Sequence, residues 1–276
     1  MNRLSLSDRA KILHCLVEGN SMRATSRLCD VSINTVTKLL LDVGTACAIY
    51  QNEVLRNLQC KRVQCDEIWS FCGTKERNVD PANKGKVGYG DVYTWTAIDS
   101  DSKLCVSFLV GRRDIEHANI FVDDLAARLA NRIHLSTDGN RMYVDAVANS
   151  FAEIDYGMLV KHYSHEGQKL TSDVRYSPSK FVKSEKRRIA GDPEFGDIST
   201  SYVERQNLTM RMGMRRFTRL TNAFSKKMYN LECAVALHFM FYNFGRIHKT
   251  LRVTPAMEAG IAQHVWTLEE IAALAD

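Results

Sequence analysis

What these 276 residues lack narrows the field first. The eight cysteines, at 15, 29, 47, 60, 65, 72, 105 and 233, form no CxxC pair and have no matching histidine pair. Neither a zinc ribbon nor a disulfide framework is therefore expected, and the cysteines read mostly as buried thiols. No apolar run approaches the length that spans a bilayer, and the opening MNRLSLSDRAKILHC meets charge too often for a secretory leader. The expectation is a cytoplasmic protein with no membrane partner. Low-complexity tracts and short repeats are also missing, and 45% hydrophobic with 25% charged residues is ordinary for a globular chain. One substantial core domain with a small accessory domain follows from the length.

Acid is missing locally. The net charge is only +5, but Arg205 to Lys227 holds seven basic residues and no acid, and Lys180 to Arg188 holds five against one. Either run alone reads as a solvated face, yet both give fields suited to a phosphate backbone.

What is present begins with helices. Leu6, Ala10, Ile12, Leu13 and Leu16 make an apolar stripe that Gly19-Asn20 ends. In SMRATSRLCDVSINTVTKLLLDVG a short helix runs to Cys29, a tight turn follows at Asp30-Val31, and Ser32 or Asn34 caps a helix carrying Val36, Leu39 and Leu40. That is helix-turn-helix spacing, with Asn34, Thr35, Thr37 and Lys38 set to face a DNA major groove, although any three-helix bundle can produce the pattern. Residues 1–46 are expected to form this domain and 47–60 a helical linker.

The texture then turns to β. RVQCDEIWSFCG, VYTWTAIDSDS and LCVSFLVGRRD read as consecutive antiparallel strands, the first two joined by a long polar segment. A helix (IEHANIFVDDLAARLA), a strand (RIHLSTDG), a second helix (DAVANSFAEI) and a further strand (YGMLVKHY) follow, giving βββαβαβ with helices at the end. This order predicts an α/β fold with a mixed sheet and ligand sites at strand ends. Residues 164–198 read as a basic loop, Ser199 to about Arg216 as a helix, and 225–248 as a largely buried one. Trp69 and Trp95 read as core packing.

Three carboxylates stand out by context. Asp66 lies mid-strand on the face opposite Val63, Cys65, Trp69 and Phe71; Asp138 follows IHLST and precedes a glycine; Glu204 lies early in a helix that also presents Asn207 and Arg211. Glu67 and Asp99 are rivals that strand parity does not remove. The plain readings are a turn residue for Asp138 and an ion-pair partner for Glu204. Clustered carboxylates raise one another's pKa unless a cation holds them, and two magnesium (or manganese) ions roughly 3.5–4 Å apart would suit in-line displacement at phosphorus, with Arg211 on a phosphate.

The segments CDEIWSFCGTK, TAID, STDGNRMY and YVERQNLTMRMGMRRFTRLTNAFSKK occur in that order. Together they resemble the catalytic domain of bacterial insertion-sequence transposases of the insertion sequence one family, from about residue 60 to 250. The ERQNLTMRMGMRR helix with the FSK segment is the most specific part. The resemblance implies a ribonuclease H-like domain over residues 61–250, a DDE triad of Asp66, Asp138 and Glu204 as catalytic metal ligands, and a basic partner at Arg211. YNFGRIHKTL with Thr254-Pro255 resembles the end of integrase-type domains, leaving 251–276 as a tail. Family members often carry a zinc motif ahead of the helix-turn-helix; none is visible here, so end recognition falls to the helix-turn-helix or the chain is a shortened or divergent member.

The activity implied is cleavage at the element's end, freeing a 3′ hydroxyl that attacks target DNA. Lys180, Lys183, Lys186, Arg187, Arg188, Asn207, Arg215, Arg216 and Arg219 are the expected DNA contacts. Synapsis of two ends implies a homodimer or larger, associated with the bacterial nucleoid when bound. The competing readings are a DNA-binding regulator on an inert transposase-derived body and a nuclease of the same fold.

Overall fold

The computed structural model describes residues 4–164, 180–218 and 221–276. Three helices lead: α1 (Leu6–Val17), α2 (Met22–Leu28) and α3 (Ile33–Val54). Each starts on a serine, Ser5, Ser21 and Ser32, whose hydroxyl accepts the backbone N–H three residues on. Ser32, not Asn34, is therefore the cap of α3. Asp30, in the left-handed region at φ 50°, turns the chain between α2 and α3. The third helix runs unbroken past residue 46 to Val54. Its apolar face packs on α7 (Met228–Met240). Gly44 permits this, since a Cβ there would meet Cys233 at 2.5 Å.

The chain folds as an α/β protein, with the helix-flanked mixed sheet expected of a ribonuclease H-like domain and an all-helical N-terminal region. The strands are β1 (Arg62–Cys72), β2 (Gly90–Asp99), β3 (Cys105–Gly111), β4 (His134–Asp138), β5 (Asp155–Ser164) and β6 (Lys180–Ala190), ordered β3-β2-β1-β4-β5-β6. β4 is parallel to β1 and β5, while β2, β3 and β6 run antiparallel to their neighbours.

Strand alternation gives the sheet two apolar faces. Val63 and Cys65 share one with Trp95 and Ala97, and α4 (Ile115–Arg128) and α5 (Met142–Ser150) cover it. Trp95 is fully buried there, 5.5 Å from the Tyr143 ring and 5.9 Å from Phe121. Ile68 and Ile98 face the other way, under Val203 and Met210 of α6 (Ser201–Gly213) and Phe239 of α7. Trp69 is half-buried beside Phe71. Six of the eight cysteines are buried and all are free. Among the described residues no helix is long and apolar enough to cross a membrane.

One expectation fails. Residues 180–190, assigned to a loop, form β6, antiparallel to β5. KFVKSEKRRIA lacks an apolar alternation because β6 is an edge strand, with most of its described side chains exposed. Backbone pairing holds it, helped by the cross-strand pair of His162 with Glu185 at 3.5 Å.

Candidate active site

The site arises from an offset between strands. β1 pairs with β4 only as far as Cys65 opposite Thr137, but continues beside β2 to Cys72. Asp66 and Glu67 therefore lie where β4 has just ended, and Asp138 is the last residue of β4. Ligand oxygens of these three acids lie within 4.8 Å of one another.

Because Asp66 and Glu67 alternate across the strand, each is positioned from a different side. On the α6 side, Asn207 Nδ2 donates to Asp66 Oδ2 at 2.8 Å. Asp66 Oδ1 accepts the Glu67 backbone N–H at 2.8 Å. On the opposite side, Asn140 Nδ2 donates to Glu67, whose side chain is 2% exposed, and Arg113 stands 3.5 Å away. Asp138 accepts the Asn140 backbone N–H at 2.9 Å. Asn140 thus ties two of the acids together.

These contacts do not neutralise the cluster. Burial pushes Asp66 up to about 7, and the charges of Asp138 and Glu67 push the same way against the Glu67 N–H. Burial and then Asp138 raise Glu67 to about 7 as well, opposed by Arg113 and Asn140. Burial also raises Asp138, against the Asn140 N–H and Arg113.

Glu204 stands apart from the 4.8 Å group. Its carboxylate, 43% exposed, accepts from Lys161 and from Thr200, the residue just before its helix begins. It is near enough for its charge to raise Asp66 and Asp138. Arg211 is exposed two turns further along α6. Asp99 is not a rival: its carboxylate caps the β2–β3 turn, accepting the Ser102 N–H at 2.8 Å.

The donor set fits a hard divalent cation. All its atoms are oxygen, and their spread is close to the roughly 4 Å between opposite oxygens in a magnesium shell. Asn207 Oδ1 is moreover buried beside Asp66 with no hydrogen-bond partner among the described residues.

No protein-family profile and no curated protein matches the sequence. Among solved structures, the piggyBac transposase in a synaptic complex with hairpin DNA aligns over 98% of this chain and 69% of its own, at 10% identity and a TM-score of 0.41. The Mos1 transposase paired-end complex with the left transposon end aligns over 56% of this chain and 60% of its own, at 12% identity and a TM-score of 0.23. The Mos1 strand transfer complex aligns over 88% and 78%, at 11% identity and 0.23. None of these likenesses supplies a residue correspondence for the cluster.

The other expected DNA-facing residues are dispersed. Asn34 and Lys38 are exposed on α3, while Thr35 and Thr37 are half-buried, bonded to Ser32 and to the Ile33 carbonyl. Lys183 is exposed on β6, where Arg187 pairs with Glu185 and Arg188 with Asp192. Lys186 reaches the Phe195 carbonyl. Asn207 is buried against Asp66, Arg215 is exposed, and Arg216 donates to Ser225 Oγ at 2.8 Å. The Lys180 side chain and Arg219 lie outside the described residues. Sequence reasoning missed Arg113, Asn140 and Lys161, which carry no motif and reach the acids only through the fold.

Proposed function

We propose that the chain is a DNA transposase of the insertion sequence one type, cleaving DNA at element ends and joining the freed 3′ hydroxyl to target DNA. One observation carries this reading: three carboxylates from two strands converge, without neutralisation, on an all-oxygen site at the end of the parallel pair β1 and β4. A buried acid cluster of this kind is costly unless a cation or a reaction uses it.

Asp66, Glu67 and Asp138 would hold the divalent cation, magnesium or manganese, and a second ion would be shared with Glu204. Bound there, such a cation supplies Lewis-acid stabilisation of charge on a phosphoryl group. The chain does the rest by positioning. Asn207 and Asn140 fix the carboxylates, Arg113 limits repulsion around Glu67, and Lys161 holds Glu204 at the rim. Arg211 meets a phosphate, and the exposed α3 residues Asn34 and Lys38 read the element's end. Synapsis of two ends requires two copies of the chain.

The test is incubation of the protein with magnesium and a labelled duplex carrying a terminal repeat. Nicked and joined strands are expected, absent in chelator. Glu204→Gln is expected to bind DNA and not cut it. A variant that cuts like the parent removes Glu204 from the triad; Glu67→Gln then identifies the third acid. A parent that binds the repeat and never cuts it makes the protein a regulator.

A further inference from the structure

A cleft lies away from the carboxylates. About 760 Å³ in volume, it opens between the helices α1–α3 on one side and the C-terminal end of α6, residues 221–226 and α7 on the other. Arg23 and Thr37 line the first wall; Arg215, Arg216, Asn222 and Lys226 line the second, and among the described residues no carboxylate lines either. The walls are in firm contact, since Gly19 at φ 81° lets the α1–α2 turn come so close to α6 that a Cβ there would meet the Met212 carbonyl oxygen at 3.0 Å.

Arg216 is the unusual member. Its guanidinium donates to Ser225 Oγ and, among the described residues, has no acid within ion-pair distance. Burial pushes it down from its ordinary range. A cation half-buried in a cleft without a counter-ion is costly, and its planar fork suits one kind of partner, the paired oxygens of a phosphate or carboxylate. A free small anion needs one or two such groups. Here four cations on two walls line an open cleft, which suits a repeating polyanion.

We propose that this cleft seats the phosphodiester backbone of duplex DNA, gripped by Arg216 and Lys226 from the catalytic side and Arg23 from the helical side. The proposal rests on the DNA reading above and extends it. α6 joins the two sites: from Gly213 at the cleft to Glu204 is nine residues of helix, roughly 14 Å or about four base pairs. A backbone held in the cleft is thereby placed in register between α3 and the carboxylates.

The test is fluorescence anisotropy with a labelled blunt duplex of arbitrary sequence, in chelator, across a salt series. Arg216→Gln and Arg23→Gln are each expected to weaken binding about tenfold, and each to reduce the slope of log affinity against log salt by about one. Arg216→Lys, which keeps the charge but loses the fork, is expected to fall between. Arg23 is exposed, so Arg23→Gln decides the matter if Arg216→Gln does not fold. Gln variants with parental circular dichroism, parental affinity and parental slope overturn the proposal while leaving the DNA reading intact. A parent that shows no salt-dependent duplex binding overturns both. Loss of binding in the variants beside a parent that never cuts with magnesium keeps the cleft and removes the catalytic reading.

Discussion

The two ends of the parallel strands carry acids of opposite character. At the start of β1, Arg62 pairs with Asp101 and, at 3.0 Å, with Asp197. At the start of β5, Asp155 takes two hydrogen bonds from Arg132 and the Asp192 N–H at 2.9 Å, which hold its carboxyl below the ordinary range. At the other end, Arg113 offsets Glu67 and Asp138 only in part, Lys161 acts on Asp138 alone of the three, and Asp66, Glu67 and Asp138 are all raised. The same sheet neutralises acids at one end and leaves them uncompensated at the other. Structural acids arrive with their cations; the cluster has places left for a ligand.

The largest consequence is in activity. Asp138→Asn keeps the shape and one acceptor but removes a charge that binds the cation, so strand nicking should fall about a thousandfold, the equivalent of several kcal/mol of transition-state stabilisation. Asp155→Asn, the matching change at the neutralised end, should leave nicking within about twofold. Equal losses would mean that both changes act through folding, which thermal midpoints of the two variants would reveal.

Stability against pH sharpens the contrast next. Asp66 and Glu67 have folded values near 7 against ordinary values of 3.8 and 4.5. Between roughly pH 4 and 7 the folded chain binds more protons than the unfolded one, so the metal-free protein loses stability as pH rises through that window. Its melting temperature in chelator should be higher near pH 5 than near pH 8. Asp66→Asn should raise the pH 8 value by about 2–4 °C, as expected for relief of about 1 kcal/mol in a chain of this size. Millimolar magnesium should stabilise the parent at pH 8 and not the variant. A parent insensitive to both pH and magnesium would show that the acids are already compensated.

Much of this was legible beforehand. Asp66 and Asp138 were marked by position, mid-strand and at a strand tip, because alternation and strand length are written in RVQCDEIWSFC and IHLST. Glu67 stayed an unresolved rival, since parity puts it on the other face and only the early end of β4 lets its carboxylate rejoin Asp66. Asn140 and Arg113 were invisible: neither is close in sequence to Glu67, and their contact with it depends on chain crossing. β6 was hidden for a different reason, as an exposed edge strand needs no apolar period. Arg216 was legible as one charge in a basic run and not as a cleft residue, because its counter-wall comes from Arg23, almost two hundred residues away.

The smallest effect tests the neutralised end. Asp155→Asn keeps an oxygen to accept the Asp192 N–H and loses the charge facing Arg132 together with the acceptor for its Nε–H. Both partners are well hydrated, at 26% and 47% side-chain exposure, so the cost should stay under about 1 kcal/mol. The sign is opposite to that of the cluster. A carboxyl held low in the folded state contributes stability above its ordinary pKa and loses it as pH falls through the lower folded value. Urea midpoints should therefore place Asp155→Asn slightly below the parent at pH 7, with the gap closing near pH 3 and shrinking in molar salt. If the substitution stabilised the chain at pH 7, as expected for Asp66→Asn in chelator, Arg132 would not be compensating Asp155, and the two ends of the sheet would not differ in the way their hydrogen bonds indicate.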